Sequence, residues 1–150
     1  MVISGETSVV TSVSKTLIAG ASGIALIAGL VGCVTNPLDA AACTAFVTAQ
    51  NVYDDTANNA IKDNNPVNSG LWTAAWKALP TAVTSAAKLA DGDALKKAFA
   101  AYTQTLDENT NAAEAKRLEI WSAGYAQTVM SVCVSSGGAK PDDLTPINVP

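Results

Sequence analysis

Residues 39–62, DAAACTAFVTAQNVYDDTANNAIK, decide the fold class. From Ala40 onward the apolar side chains fall at Phe46, Ala49, Val52, Tyr53, Ala57, Ala60 and Ile61. Steps of three and four residues gather them on one face of a helix, whereas a half-buried strand would alternate. Asp39 stands where an N-cap is expected, because its short carboxylate can accept a bond from a free first-turn amide. The stretch predicts one long helix over 39–62. After it, KDNNPVNSG at 62–70 is rich in turn formers and predicts a loop.

The helical spacing recurs along the chain. LWTAAWKAL at 71–79 carries Trp72 and Trp76 four residues apart, and Pro80 predicts a break before a further helix over 81–90. Asp91-Gly92-Asp93 separates that helix from ALKKAFAAYTQTL at 94–106, where Leu95, Phe99 and Tyr102 share a side. Residues 109–112 read as a turn. The last helix is expected over 112–134, with Leu118, Trp121, Tyr125, Val129 and Val132 as its stripe. No segment alternates with period two, and no hairpin signal lies between β-branched runs. The expected fold is all-α: an antiparallel bundle of four or five helices over 39–134. A hydrophobic N-terminal segment precedes it, and SSGGAKPDDLTPINVP at 135–150 predicts an extended surface tail.

Composition narrows the function classes. A chain of 150 residues is one domain in size, and its 49% apolar content is too high for a disordered chain. Thirteen acidic residues against nine basic ones leave a net charge of −4, with a mean hydropathy of +0.22. That balance excludes a duplex nucleic-acid binder, which needs a basic face for phosphates. There is no histidine, the commonest general base and metal ligand. The three cysteines, spaced by 10 and 90 residues, fit no zinc pattern. No metal site, cofactor or catalytic activity is expected. The pair Asp54-Asp55 reads as part of a solvated face, since consecutive helical side chains point about 100° apart. Asp91-Gly92-Asp93 reads as helix capping rather than a cation loop. Lys96-Lys97 and Lys116-Arg117 read as solvated surface. The three tryptophans are expected in the core; Trp72 and Trp76 carry the alternative of contact with a partner or a membrane interface.

Near the N-terminus, TLIAGASGIALIAGLVG at 16–32 is an uncharged apolar run of 17 residues behind Lys15. A spanning helix asks for about 20, whereas a secretory signal needs an apolar core of only about 7–15. The run ends in Leu30-Val31-Gly32-Cys33, which resembles the lipobox of bacterial lipoproteins. The resemblance implies that the Cys33 thiol receives a diacylglycerol and that the chain is cleaved just before it. Residues 1–32 would then be a signal peptide and 33–38 a tether. Val34, in place of aspartate, is compatible in a Gram-negative host with sorting to the outer membrane. With Cys33 acylated, Cys43 and Cys133 remain to pair as a disulfide; otherwise both are buried thiols.

Two other readings of 16–34 stay open: an uncleaved membrane helix, favoured by the Ala25/Gly29 and Ala28/Gly32 spacings, and a buried hydrophobic helix of a soluble or assembled protein. The expected function is therefore a lipid-anchored cell-envelope protein acting as a non-catalytic binding module. It would meet the membrane through its lipid or N-terminal helix, and an envelope protein as partner. The alternatives are a structural subunit that retains 16–34 as a helix, and a carrier of an apolar ligand between helices.

Overall fold

The computed structural model describes residues 36–148. The run at 16–32, Cys33 and residues 33–35 of the expected tether lie outside the described residues. Five helices follow in order: α1 (Pro37–Asp63), α2 (Pro66–Ala87), α3 (Asp93–Glu108), α4 (Glu114–Ser122) and α5 (Tyr125–Ser135). No strand occurs among the described residues, so the fold is all-α.

Helices α1 and α2 start by the same device. Asn36 and Asn65, in non-helical backbone, each accept from the amide two residues on, Leu38 at 3.0 Å and Val67 at 2.9 Å. Pro37 and Pro66 then occupy the first turn, where a missing N–H leaves nothing unsatisfied. Two expectations are corrected here. The cap of α1 is Asn36 rather than Asp39, so residues 36–38 belong to the helix start and not to a tether. The loop expected over 62–70 contracts to Asn64 and Asn65. Asn64 takes the left-handed conformation (φ 44°) and closes α1 through its N–H to Ala60 O at 3.1 Å. Asn64 and Asn65 are helix caps, and Pro66, Asn68, Ser69 and Gly70 lie in the first turns of α2.

Pro80 does not break α2, which runs through it. Trp72, Trp76 and Leu79 before it and Val83 and Ala86 after it all bury on one side, and Pro80 is itself buried. A break would forfeit part of that burial, which outweighs a cost of about 3 kcal/mol for an interior proline. The last helix, expected whole, is divided by Gly124, whose φ of 80° turns the chain between α4 and α5. Its buried residues are Arg117, Ile120, Ala126, Val129, Met130 and Cys133. Of the predicted stripe Val129 is buried as expected, whereas Leu118, Trp121 and Val132 are half-buried and Tyr125 is exposed, so the buried face is rotated from the one predicted. At the end of α5, Gly137 N–H bonds to Val134 O (3.0 Å) and Gly138 N–H to Cys133 O (2.8 Å). Paired bonds of this kind close a helix through a left-handed glycine, here Gly137 at φ 74°.

Helix α1 packs on α2 and α5, and α3 packs on α2 and α5, which closes a ring of four around one core. Two cross-links fix the directions. Asp39, near the start of α1, accepts at Oδ1 from the N–H of Asp91 (2.8 Å) and Gly92 (2.9 Å), so α3 begins beside the start of α1. Cys43 and Cys133 form a disulfide with Cα atoms 5.6 Å apart, so α5 ends at that same base. Neighbours in the ring thus run antiparallel. The capping reading of Asp91 and Asp93 is corrected too: Gly92 caps α3 without a side chain, and Asp91 Oδ2 instead accepts from Asn36 Nδ2 at 2.9 Å. Gly138 passes so close to the disulfide that an added Cβ would lie 3.0 Å from Cys43 Sγ.

The core is aromatic in its middle. Phe46 meets the rings of Phe99 and Tyr102 edge-on, at 5.7 and 6.3 Å between centroids, and Tyr53 tilts against Trp72 and Trp76. Such edge contacts suit the ring quadrupoles and add to the area buried. Alanines at 42, 57 and 86 let the helix backbones approach closely enough for these rings to fill the space between.

Candidate functional site

Gln50 and Asp54 are one turn apart on α1 and therefore share a side. That side faces inward: Gln50 is fully buried and Asp54 only 1% exposed. The reading of Asp54 as solvated is corrected, while Asp55, rotated outward, is exposed as expected. A hydrogen-bond chain crosses the core. Tyr102 Oη donates to Gln50 Oε1 at 2.8 Å, and Gln50 Nε2 donates to Asp54 Oδ1 at 2.9 Å. The second carboxyl oxygen has no hydrogen-bond partner among the described residues. Burial pushes the carboxyl up to about 7, the Gln50 bond pulling it down and the nearby Asp55 charge adding a smaller upward push. Burial likewise raises the Tyr102 phenol and lifts Tyr53 to about 12, so both stay neutral. Tyr53 Oη and Trp72 Nε1 are buried without a hydrogen-bond partner.

The C-terminal tail, expected as an extended surface segment, is bound to α1. Asn51 Nδ2 donates to Asp143 O (2.7 Å) while its Oδ1 accepts from Thr145 N–H (2.8 Å). Asn58 repeats the pattern, with Nδ2 to Pro146 O (2.9 Å) and Oδ1 from Asn148 N–H (2.7 Å). Each side-chain amide thus pairs with the backbone on both sides of one tail residue, as a neighbouring strand would. Seven helical residues rise about 10 Å, and three extended residues span about 10 Å, so the two pairings stay in register. Ile147 seals the strap by burying its side chain. Asn51→Ala and Asn58→Ala each delete two bonds, with an expected loss of about 1–2 kcal/mol. Hydrogen exchange measured by NMR checks this: the Thr145 amide is expected to lose protection first in Asn51→Ala, and the Asn148 amide in Asn58→Ala. Unchanged exchange at those amides would show that the strap is held by Ile147 alone.

Between this strap, α1 and the α4–α5 pair lies a cavity of about 680 Å³. Trp121, Met130 and Val134 form its inner wall, Leu144 and Pro146 of the strap its outer wall, and Asp54 a polar point on the α1 side. Gln127, Ser131, Ser135 and Thr145 are the uncharged polar groups around it. The volume and the mix of apolar wall with a few convergent polar groups suit a small-molecule site. What the arrangement offers chemically is one carboxyl oxygen, poised between protonation states near neutral pH, in an apolar surround.

Cys33 lies outside the described residues. Cys43 and Cys133 pair at the base of the bundle. Trp72 and Trp76 are each 1% exposed, so they belong to the core and offer no surface to a partner or a bilayer. Trp76 Nε1 donates to Asn109 O at 2.9 Å. Of the basic doublets, Arg117 is buried rather than solvated. Its guanidinium lies 5.5 Å from the Trp72 ring centre and donates to Ala112 O and Thr73 Oγ1. Its neighbour Lys116 pairs with Glu119 on the surface. No group of three His, Cys, Asp or Glu side chains able to hold a metal ion occurs among the described residues, and no helix there is long and apolar enough to cross a membrane.

Sequence reasoning missed Asp54, Gln50, Asn51 and Asn58. The signal for the first two was angular: Gln50 and Asp54 flank Tyr53 and Ala57 on the buried arc. No family model matches the chain, and the curated proteins and solved structures compared with it yield no match.

Proposed function

We propose that this chain is a lipid-anchored cell-envelope protein whose helical domain acts as a non-catalytic binding module, with the cavity beside Asp54 as its binding site. The observation that carries the reading is the Cys43–Cys133 disulfide. Structural disulfides persist in oxidising compartments, and this one leaves Cys33 as the single thiol for an acyl chain. Residues 34–36 alone separate Cys33 from the first residue of α1, a reach of roughly 14 Å at most. An acyl group at Cys33 therefore holds the base of the bundle, where the disulfide lies, against the bilayer. The absence of histidine from the sequence favours binding over catalysis. In a host with two membranes, Val34 after the acylated cysteine suits the outer one.

Intact-mass analysis of the protein from its own host tests this. The expected species begins at Cys33 and carries a diacylglycerol, with Cys43 and Cys133 oxidised. A chain that retains Met1 and an unmodified Cys33 would overturn the anchor and favour a structural subunit that keeps 16–34 as a helix.

A further inference from the structure

We propose that the cavity beside Asp54 binds an apolar monoamine in its ammonium form, with Asp54 as the counter-ion. The assignment rests on reading the domain as a binding module and is independent of how the chain is anchored.

Asp54 is nearly fully buried, one of its oxygens is held by Gln50, and it lines a cavity large enough for a ligand. Neither ion pair among the described residues involves Asp54, and its charged neighbour in the chain is Asp55, another carboxylate. An anionic ligand would meet a second negative charge in an apolar surround, where repulsion is poorly screened. A neutral apolar ligand would strip water from the carboxylate and give nothing back. A calcium ion asks for six or more oxygens, which one carboxyl and neutral side chains do not assemble.

An ammonium head on a single hydrocarbon body meets each condition. Its three N–H groups can meet the free oxygen of Asp54 and one neighbouring pair of acceptors on α5, the Ser131 hydroxyl with either the Gln127 amide oxygen or the Ser135 hydroxyl, since residues 127 and 135 lie about 12 Å apart along the helix. The Ser135 hydroxyl donates to Val132 O, so its own lone pairs remain available to a donor. The hydrocarbon body lies between Trp121 and Met130 on one side and Leu144 on the other. Because Leu144 belongs to the strap, the ligand also completes the packing that holds the strap on α1.

Calorimetric titration of the full chain at pH 8 tests the assignment with three probes of one body and different charge: n-decylamine, n-decanol and decanoate. Decylamine is expected to bind at least tenfold more tightly than decanol, with decanoate weakest. Asp54→Asn is expected to bring decylamine down to the decanol level. Ser131→Phe, which fills the cavity from its exposed mouth, is expected to weaken decylamine and decanol alike, and unfolding curves establish that both variants are folded. If decanol matches decylamine, or Asp54→Asn binds decylamine as the parent does, the amine assignment is wrong and the cavity remains a binding site. If none of the three probes binds, the assignment and the binding site both fall.

Discussion

Asp54→Asn is expected to stabilise the domain at pH 8 and leave it nearly unchanged at pH 4. The carboxyl in the folded state titrates at about 7, against an ordinary value of 3.8 in the unfolded chain. Between those values the folded protein holds a proton that the unfolded chain has released. Stability from this group is therefore full below pH 4, falls as pH rises, and is lost above pH 7. Three pH units of difference correspond to about 4 kcal/mol. Water entering the cavity relieves part of the cost, so a gain of about 2–4 kcal/mol is expected for the amide at pH 8. Asparagine keeps the oxygen that accepts from Gln50 Nε2 and carries no charge at any pH. Urea denaturation of both proteins from pH 4 to pH 8 checks this. The parent curve slopes downward through that window, the variant curve is flatter, and the two meet at the acid end. Parallel curves would show that Asp54 is hydrated as an ordinary surface carboxylate.

That outcome bears on function. A carboxyl that an isosteric amide would improve is a group held at a cost to stability, the pattern found at binding and catalytic sites. The cost disappears when a cation pairs with the carboxylate, so an ammonium ligand is expected to bind and to stabilise the parent at pH 8. The strap is part of the same balance. Leu144 and Pro146 cover the cavity, and Asn51 and Asn58 hold them there through backbone bonds independent of the side chains covered.

The fold class is legible because apolar spacing in α1 and α3 follows the helical period without interruption. The errors lie where one residue type serves two ends. Asn-Pro looks like a loop and is a loop, but one so short that its asparagine and proline are the cap and first turn of the next helix. Pro80 carries a real local cost that the burial of its neighbours on α2 overrides. Gly124 carries the needed signal, a glycine within a 23-residue pattern, and its positive φ makes the turn. At the site, hydrophobic class misleads where angle would serve. Val52, expected on the buried face of α1 for being apolar, is 58% exposed, while Asp54, expected outside for being charged, is buried. The strap is not legible at all, because its affinity for α1 resides in backbone groups that every sequence has, matched to two asparagines far away along the chain.

Removing the disulfide is expected to cost the domain several times what either strap asparagine contributes. The bond between Cys43 and Cys133 spans 90 residues of sequence and ties the first turns of α1 to the last of α5, so it encloses nearly the whole bundle. In the chain-entropy description, a loop of that length restrains the unfolded state by about 5 kcal/mol. Small domains have roughly 5–15 kcal/mol in total, so the loss is a large share of stability. In the folded state the change is local. Gly138 loses the sulfur it packs against, and the first backbone group of the strap bound to α1, Asp143 O, follows five residues later. Cys43→Ala/Cys133→Ala and the parent under a thiol reductant are expected to unfold at the same, much lower urea concentration, while the oxidised parent stands apart. If reduction leaves the midpoint where it was, the unfolded chain is already held compact by other contacts and the bond contributes little. If the midpoint falls as expected, the folded population depends on the redox state of the compartment. Protein kept in a reducing environment then lacks the margin that the oxidised form possesses, and a destabilising carboxylate such as Asp54 is tolerated only once the bond has closed.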